Sequence, residues 1–256
     1  MFTQAIVRPP AENFQQGLTG ADLGEPDFAI ALKQHMRYCD ALQHCGLTLT
    51  HMEADRLFPD STFVEDTAIL TSSCAILTRP GAPSRRGEVA SIADALRRIY
   101  TRLYAITDPG TVDGGDVCQV DAHFFIGISE RTNEEGARQL AGFLAQEGFT
   151  SARVDIGDIH GILHLKSGIS YLGDNRLALI DALADDAVFR GYEIVRIAPE
   201  EAYAANFLRI NDRVIVSAGH PKFEAEVRNM GYPVIALDMS EFRKMDGALS
   251  CLSLRY

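Results

Sequence analysis

The stretch TAILTSSCAILTRPGAPSRRGEVASIADALRRIYTRLYAIT, residues 67–107, decides the fold of this chain. It begins with two short apolar runs of β-strand character, TAILTSS and CAILTRP, separated by a polar turn. An amphipathic run, RRGEVASIADALRRIY, follows with its apolar residues at helical spacing, and RLYAIT then supplies a third strand-like run. These periodicities predict the order strand, strand, helix, strand.

The same order of runs recurs along the chain. Three further copies occupy residues 116–157, 168–198 and 206–239, the second of them with only a short helix near ADDAVFRG. A fifth copy is split, because ALSCLSLRY at 248–256 supplies one strand while MFTQAIVRP, a helix at 27–46 and the strand LTLTHMEA supply the others. The copies start about forty to fifty residues apart, which is the spacing of propeller and solenoid repeats.

The repeats predict an α/β fold, a five-bladed ββαβ propeller with a pseudo-five-fold arrangement whose ring is closed by the N- and C-terminal segments. No low-complexity linker or composition break interrupts residues 1–256, so we expect one domain rather than two. A generic α+β fold whose strands merely recur is the alternative that the pattern leaves open.

Composition narrows the class of protein. The chain has 256 residues, 46% of them hydrophobic, and a formal net charge of −11. It shows no basic cluster, no basic leader and no apolar stretch long enough for a membrane span, so we expect a cytoplasmic protein that binds neither nucleic acid nor membrane. Its five cysteines form no CxxC pair, which argues against a disulfide framework or a zinc knuckle and makes structural thiols the default.

Unusual polar residues fall where the first strand of a repeat begins. These residues are Glu65 and Asp66, Asp113 and Asp116 of DGGD, His164 of HLKSGIS, and Asp246 with Cys251 of the last segment. Each of these residues taken alone is explained by packing or by a turn. If the repeats are arranged around an axis, however, their equivalent positions converge at one end of that axis. A thiol, an imidazole and several carboxylates in one pocket indicate nucleophilic catalysis.

Five segments together carry a family resemblance. FVEDTAI, TVDGGDVCQV, ISERTNEEGAR, LHLKSG and KMDGALSCLSLRY resemble the dimethylarginine dimethylaminohydrolases, members of the guanidine-modifying pentein superfamily. The resemblance covers nearly the whole length, in order, and includes QQGLTGADLG near the N-terminus. It implies that residues 1–256 form a single catalytic domain that hydrolyses asymmetric dimethylarginine and monomethylarginine to citrulline and dimethylamine or methylamine.

The resemblance also implies roles for individual residues. Cys251 is the implied nucleophile, His164 the general acid and base, and Asp113 the acid that orients the histidine. The implied substrate-binding residues are Leu18, Asp60, Glu65, Asp66, Arg85, Arg131, Met245 and Asp246, with the two arginines receiving the substrate carboxylate. No cofactor and no metal are implied, methylated arginine is the small-molecule partner, and a homodimer is left open.

The chemistry of a guanidinium agrees with these residue types. Attack on its central carbon requires a strong nucleophile, and a thiolate is favoured when a cation such as the bound guanidinium lies beside it. Paired carboxylates match the planar fork of the guanidinium and orient its carbon towards sulfur. An imidazolium can then protonate the departing amine.

The sequence departs from the family at two positions and leaves several assignments open. Asp113 stands where some relatives carry the longer Glu, and Ala248 stands where Gly is frequent. His160 competes with His164 as the base, and the segment QQGLTGADLGEP is either a passive loop or a lid with Leu18 at its tip. Cys39, Cys45, Cys74 and Cys118 are expected to be structural.

Two other functions remain open at this point. An arginine or agmatine deiminase would use the same thiol chemistry and release ammonia. A five-bladed ring can also serve as a binding module without catalysis, although such a module does not require Cys251, His164 and Asp113 at matching positions.

Overall fold

The structure is a computed structural model that describes residues 1–256, Met1–Tyr256. Its strands are β1 (Gln4–Val7), β2 (Thr48–His51), β3 (Ala68–Leu70), β4 (Ala75–Leu77), β5 (Leu103–Ala105), β6 (Val117–Val120), β7 (His123–Ile128), β8 (Thr150–Asp155), β9 (Ile169–Gly173), β10 (Arg176–Ile180), β11 (Glu193–Ile197), β12 (Leu208–Ile210), β13 (Arg213–Ser217), β14 (Val234–Leu237) and β15 (Ser253–Arg255). Its α-helices are α1 (Phe28–His44), α2 (Val89–Leu96), α3 (Glu134–Gln146), α4 (Asp181–Ala184), α5 (Pro221–Asn229) and α6 (Ser240–Arg243).

The chain divides into two compact units. The first unit comprises Met1–Val64 and Glu200–Tyr256, and the second comprises Glu65–Pro199. The first contains the sheets β12-β13-β14 and β15-β1-β2, and the second contains β3-β4-β5, β6-β7-β8 and β9-β10-β11. No helix of either unit combines the length and apolar composition that a membrane crossing requires.

Every sheet is built in the same way. An antiparallel pair of strands is followed by a helix and then by a strand parallel to the second one, as in β3, β4, α2 and β5. In the split copy the last strand, β15, pairs antiparallel with β1, with Ala5 opposite Arg255, and β2 follows α1 in parallel. The predicted order of elements is therefore confirmed in all five copies, and the two chain ends share one sheet.

Turn chemistry explains the tight hairpins of the second unit. Asp174 and Asn175, between β9 and β10, both have positive φ angles of 49° and 62°. A two-residue turn with both central residues in this region matches the twist of the flanking strands, and Asp and Asn tolerate it better than other residues with a side chain. Asp121, between β6 and β7, also has a positive φ, 52°, which Asp tolerates better than most other residues with a side chain.

The core of the first unit packs α1 against its sheets. The Asp27 side chain caps α1 by accepting a hydrogen bond from the Ile30 N–H, and the buried face of the helix includes Tyr38 and Leu42. Beside it, Phe14, Phe63 and Phe242 form a group of tilted rings with centroids 5.5 to 6.2 Å apart. Such packing contributes both buried apolar area and aromatic contacts.

The core of the second unit packs α3 against β7 and β8. Asn133 caps this helix by accepting from the Gly136 N–H at 2.8 Å. The apolar residues that line the core are Ile69, Ile76, Val112, Val117, Phe124, Ile126, Ala137, Leu140 and Leu144. Their alternation along the strands and their helical spacing on α3 are the pattern that predicted these elements.

Three elements differ from the prediction. The helical run at 85–100 is a 3₁₀ turn, Pro83–Glu88, followed by α2, and Gly87 at the junction is a weak helix former. His164 lies in extended backbone before a 3₁₀ turn, because the N–H of Leu165 donates to the Asp116 carboxylate instead of to a sheet. Cys251 lies in the 3₁₀ turn Ser250–Leu252, not in a strand, and β15 begins two residues later.

Candidate active site

An acid–imidazole pair lies in the interior of the second unit. The Nε2 atom of His164 is 3.0 Å from Oδ2 of Asp113, whose side chain is fully buried. The other oxygen of Asp113 accepts the Gly81 N–H at 2.8 Å, and the Asp113 N–H donates to the Thr132 hydroxyl at 3.1 Å. Because both the carboxylate and its backbone are held, Asp113 fixes the plane of the imidazole.

The two glycines of DGGD allow this pair to form. A Cβ on Gly115 would lie 2.8 Å from the Cγ and Nδ1 atoms of His164, closer than real Cβ contacts. A Cβ on Gly114 would lie 2.0 Å from the carbonyl oxygen of Glu65. The glycines are therefore required for close approach of the backbone to the imidazole and to the 65–66 segment.

The electrostatic surroundings of His164 favour its protonated form. Burial alone lowers the pKa of His164, but the carboxylates of Asp66, Asp113 and Asp116 outweigh burial and raise the pKa to about 9. For Asp113, burial raises the pKa, but the hydrogen bond and the charge of His164 leave the pKa below its ordinary value. The pair is therefore an imidazolium and a carboxylate at neutral pH, which is the state a general acid needs.

The carboxylates of Glu65 and Asp66 already have basic partners. Asp66 accepts from Arg85 Nη1 at 2.6 Å and from the Gly115 N–H at 2.8 Å. Glu65 accepts from Lys166 Nζ at 2.7 Å. Both acids are 3% exposed, so these bonds fix carboxylate planes that are shielded from water.

Acids outnumber bases in this cluster. It contains the carboxylates Glu65, Asp66, Glu88, Asp113 and Asp116 against the basic side chains Arg85, His164 and Lys166. Burial raises the pKa of Asp116. Even if Asp116 is protonated, the remaining acids exceed the bases by one charge, so the cluster is suited to a further cation.

Three side chains of this cluster are close enough to be considered as ligands of a metal ion. Ligand atoms of Asp66, Asp113 and His164 lie within 4.8 Å of one another. Each of these groups already has a hydrogen-bonding partner within the protein: Asp66 bonds Arg85 and Gly115, and Asp113 bonds His164. A guanidinium, with its planar set of donors, fits such paired carboxylates as a hydrogen-bonding partner.

The two arginines expected to receive a carboxylate differ in their surroundings. Arg85 is 6% exposed and is held by Asp66 and by both oxygens of Glu88, at 3.0 and 2.8 Å. Arg131 is half-buried, its N–H donates to the Ser129 hydroxyl, and Gly81 approaches its backbone so closely that a Cβ there would lie 2.4 Å from its carbonyl oxygen. The Arg85 guanidinium is thus already engaged by two acids.

In the first unit, two acids hold the glycine-rich segment. The Leu18 N–H donates to both oxygens of Asp60, at 3.0 and 3.2 Å, while 43% of Leu18 is exposed. The Gly20 N–H and the Thr19 hydroxyl donate to Oδ2 of Asp246 at 2.5 and 3.2 Å. Four residues expected near the substrate, Leu18, Asp60, Met245 and Asp246, are thereby brought together, since Gly17 also lies against the Met245 side chain.

The thiol of Cys251 is half-buried on a turn with several side-chain anchors. Asn206 bonds both the N–H and the hydroxyl of Ser250, and the Tyr203 hydroxyl donates to the Gly247 carbonyl at 2.9 Å. Neither Asn206 nor Tyr203 is among the residues predicted for the site from the sequence. Asn206 is a polar residue at the start of the fourth copy, 206–239, which is a signal that could have found it, whereas only the contact across 44 residues reveals Tyr203.

The competing histidine and the other cysteines have different environments. His160 is exposed in a turn, whereas His164 is 7% exposed. Burial raises the pKa of the Cys39 and Cys118 thiols to about 12 and also raises the pKa of Cys45 and Cys74. Such thiols are protonated at neutral pH and are poor nucleophiles.

Comparison with known proteins gives the relatives of this chain. A family model of arginine deiminase matches residues 57–197, more than half of its length. The N(G),N(G)-dimethylarginine dimethylaminohydrolase of Pseudomonas aeruginosa is 45% identical over 257 residues, covering 100% of both chains. The protein of the same name from Streptomyces coelicolor is 33% identical and covers 98% of this chain and 96% of its own.

Comparison with solved structures gives the same family and shows the same fold. A cysteine-to-serine variant of the Pseudomonas aeruginosa enzyme, complexed with citrulline, matches with a TM-score of 0.97 at 45% identity over 100% of both chains. The N-terminal domain of ArgZ, an arginine dihydrolase, matches with a TM-score of 0.87 at 16% identity over 98% of this chain, which shows the fold alone. The predicted fold class, an α/β five-bladed ββαβ propeller, is confirmed by these matches. Because the chain is 45% and 33% identical to two such enzymes over nearly their full lengths, it belongs to the dimethylarginine dimethylaminohydrolase family of guanidine-modifying penteins.

Proposed function

We propose that this protein is a dimethylargininase, a single catalytic domain of residues 1–256 that hydrolyses asymmetric dimethylarginine and monomethylarginine to citrulline and dimethylamine or methylamine. The observation that carries the proposal is the 45% identity, over both full lengths, to the Pseudomonas aeruginosa enzyme of that name. A solved form of that enzyme is complexed with citrulline, the product that the proposed reaction would release.

Recognition of the substrate follows from the charges of the second unit. The buried cluster around Glu65 and Asp66 has more acids than bases, which favours a cationic guanidinium over a neutral amide. Arg131, and Arg85 if it exchanges part of its bonding to Glu88, would receive the substrate carboxylate. In the first unit, the segment that carries Leu18 would cover the substrate and exclude water, with Asp60 and Asp246 holding it in place.

In the first chemical step, the thiolate of Cys251 attacks the guanidinium carbon and forms a carbon–sulfur bond. The carbon–nitrogen bond to the methylated nitrogen then breaks, and His164 donates its proton to that nitrogen so that a neutral amine departs. The Asp113 carboxylate, 3.0 Å from the imidazole, stabilises the imidazolium beforehand. The product of this step is a covalent S-alkylthiouronium.

In the second step, water replaces the thiol. The neutral His164 left by the first step takes a proton from water, and the resulting hydroxide attacks the thiouronium carbon. The carbon–sulfur bond breaks, the added hydroxyl loses its proton to solvent, where the released amine takes it up as an ammonium ion, and neutral citrulline leaves as Cys251 returns to the thiolate. One water is consumed and one amine is released, so the cycle needs no redox partner.

A second candidate function has its own observation. The family model that matches residues 57–197 is named for arginine deiminase, so hydrolysis of unmethylated arginine, with release of ammonia, is the alternative. Agmatine is less favoured because it lacks the carboxylate that Arg85 and Arg131 would bind.

The deciding experiment compares substrates directly. Purified protein is incubated separately with asymmetric dimethylarginine, monomethylarginine, arginine and agmatine, and the ureido product and released amine are quantified by mass spectrometry. We expect turnover of the methylated arginines and none in Cys251→Ser. Turnover of arginine or agmatine alone would overturn the substrate class, and no turnover of any guanidine would favour a binding module.

A second experiment tests the carboxylate-binding role of Arg131. Arg131→Ala should raise KM for monomethylarginine at least about tenfold, because a charge-assisted pair contributes more than about 1.4 kcal/mol, and should leave KM for methylagmatine within about threefold. Equal losses for the two substrates would contradict the role. Arg138→Ala is the matched control, since Arg138 lies 65% exposed in a pair with Glu135 on α3.

We also propose a cytoplasmic location. All five cysteines are free, and the proposed reaction depends on a reduced thiol, which a reducing compartment preserves.

A further inference from the structure

We propose that Asn206 is a positioning residue for the nucleophile: its carboxamide holds the turn Ser250–Leu252 so that Cys251 presents its thiol to the substrate carbon. This inference rests on the proposed function, in which Cys251 is the nucleophile. It concerns a residue that does not itself touch the substrate.

The carboxamide makes a reciprocal pair with Ser250. Its Oδ1 atom accepts the Ser250 N–H at 2.9 Å, and its Nδ2 atom donates to the Ser250 hydroxyl at 3.0 Å. The two bonds require the oxygen and the nitrogen of the amide in one orientation, so they fix both the backbone and the side chain of Ser250. Both residues are 3% exposed, and water therefore cannot readily replace either bond.

Side-chain hydrogen bonds hold the turn on both sides of Ser250. The 3₁₀ segment Ser250–Leu252 precedes β15, and the Ser250 N–H points to Asn206 instead of to a neighbouring strand. Arg255 Nη1 donates to the Ser250 carbonyl at 3.1 Å, and Tyr203 holds the Gly247 carbonyl at the start of the turn. Side chains thus hold the peptide groups on both sides of Ser250, and Asn206 supplies the bond on the N-terminal side.

The position of Asn206 in the fold lets it set where the turn lies, in addition to stabilising the protein. It lies just before β12 and is 44 residues from Ser250, so it ties the turn to a different sheet from the one that β15 joins. Without the amide, the Ser250 N–H and hydroxyl lose these two bonds, and we expect the turn and the adjacent Cys251 to shift. A displacement of about 1 Å at a reacting atom lowers a rate about 100-fold, because the attack geometry is lost.

The test compares a variant of the buried Asn206 with a variant of the half-buried Asn211. Asn206→Ala should lower kcat for asymmetric dimethylarginine about 100-fold and leave KM within about threefold, since binding groups are untouched. The matched control is Asn211→Ala. Asn211 also bridges distant backbone, with bonds to the Phe2 N–H, the Phe2 carbonyl and the Cys45 carbonyl at 2.9 to 3.2 Å, and its φ of 56° adds strain for Ala. It should lower Tm at least as much as Asn206→Ala and leave kcat within about twofold.

A milder variant keeps the proposal testable if Asn206→Ala does not fold. Ser250→Ala removes the hydroxyl bond and keeps the bond from the Ser250 N–H, so we expect a loss of kcat of about fivefold at unchanged KM. Unchanged kcat in Asn206→Ala, or in Ser250→Ala where the first variant is unfolded, would overturn the proposal. Equal losses of kcat in Asn206→Ala and Asn211→Ala would show a merely structural role and would overturn it too.

Turnover of guanidine substrates by the wild-type protein tests the proposed function separately from the positioning role of Asn206. If the wild type turns over no guanidine, crystal structures decide the positioning claim alone. A shift of the Cys251 Cα atom in the milder variant or in Asn206→Ala, absent in Asn211→Ala, would support it. An unmoved Cys251 in both would refute it.

Discussion

Replacing Asp113 by Asn should change the protonation of His164 more than the loss of one charge suggests. Oδ1 of Asp113 accepts the Gly81 N–H and Oδ2 faces Nε2 of His164. An Asn at this position keeps its oxygen towards Gly81 and turns its NH₂ group towards the imidazole. Two donors then face each other unless Nε2 loses its proton, so the substitution favours neutral imidazole.

The size of the effect follows from the pKa of His164. Its rise from 6.5 to about 9 corresponds to about 3 kcal/mol in favour of the imidazolium, at about 1.4 kcal/mol per pKa unit. Asp66 and Asp116 remain in Asp113→Asn and still oppose the effect of burial. We therefore expect the pKa of His164 to fall by at least about one unit, and kcat to fall above neutral pH, where a smaller fraction of His164 carries the proton that the departing amine needs.

The stability consequence has a definite sign. Because the pKa of folded His164 is raised above its unfolded value, its contribution is fully present below pH 6.5 and is lost as the pH rises through about 9. The free energy of unfolding should therefore differ between wild type and Asp113→Asn by about 1–3 kcal/mol more at pH 6 than at pH 9.5.

Two assays check the reasoning. The seven histidines are labelled at Cε1 with ¹³C and titrated by NMR, with His164 assigned from His164→Gln and with His123, whose pKa burial lowers, as an internal control. Urea unfolding at the two pH values gives the stabilities. A His164 pKa that is unchanged or higher in Asp113→Asn, or a stability difference independent of pH, would refute the argument.

Other substitutions test packing and capping. Gly115→Ala places a Cβ 2.8 Å from the His164 ring and should lower kcat more than tenfold, with a loss of about 1–3 kcal/mol in the free energy of unfolding. The control, Gly142→Ala, lies in open space on α3 and should raise the free energy of unfolding by up to about 1 kcal/mol at full activity. Steady-state kinetics and urea titration check both variants. Phe242→Ala removes one ring of the aromatic group and should lower the free energy of unfolding by about 3–5 kcal/mol in urea; a loss below about 1 kcal/mol would contradict that packing. Asp27→Ala should lower it by about 1 kcal/mol, and no change in thermal unfolding would show that the cap of α1 is dispensable.

The repeat was predictable because its signals are local. Strand and helix periodicities lie within runs of five to fifteen residues, and turn residues such as Asp174 and Asn175 mark the hairpins. The split copy was also predictable, since the two chain ends each lacked what the other supplied. The shorter α2 was missed because a propensity pattern cannot show that Arg85 and Glu88 pair within a preceding 3₁₀ turn.

For the candidate site, residue types could be read from the sequence but their surroundings could not. The motifs singled out Asp113, His164 and Cys251, and the structure gives the first two a 3.0 Å contact. No motif indicated that Arg85 bonds Asp66 or that Asn206 bonds Ser250. Those contacts join residues 19 and 44 positions apart, and their partners carry no periodic signal of their own.

The sequence by itself determined the order of elements in each copy, the pairing of the chain ends, and which side chains could carry thiol and acid–base chemistry. These follow from hydrophobic periodicity, turn residues and functional groups, all of which are properties of short segments. The tertiary structure alone decided that His164 lies in extended backbone before a 3₁₀ turn while Cys251 lies within one, and that His164 has a raised pKa. Both outcomes depend on backbone N–H groups and charges meeting side chains from distant segments, with water excluded, and such meetings exist only once the chain is folded.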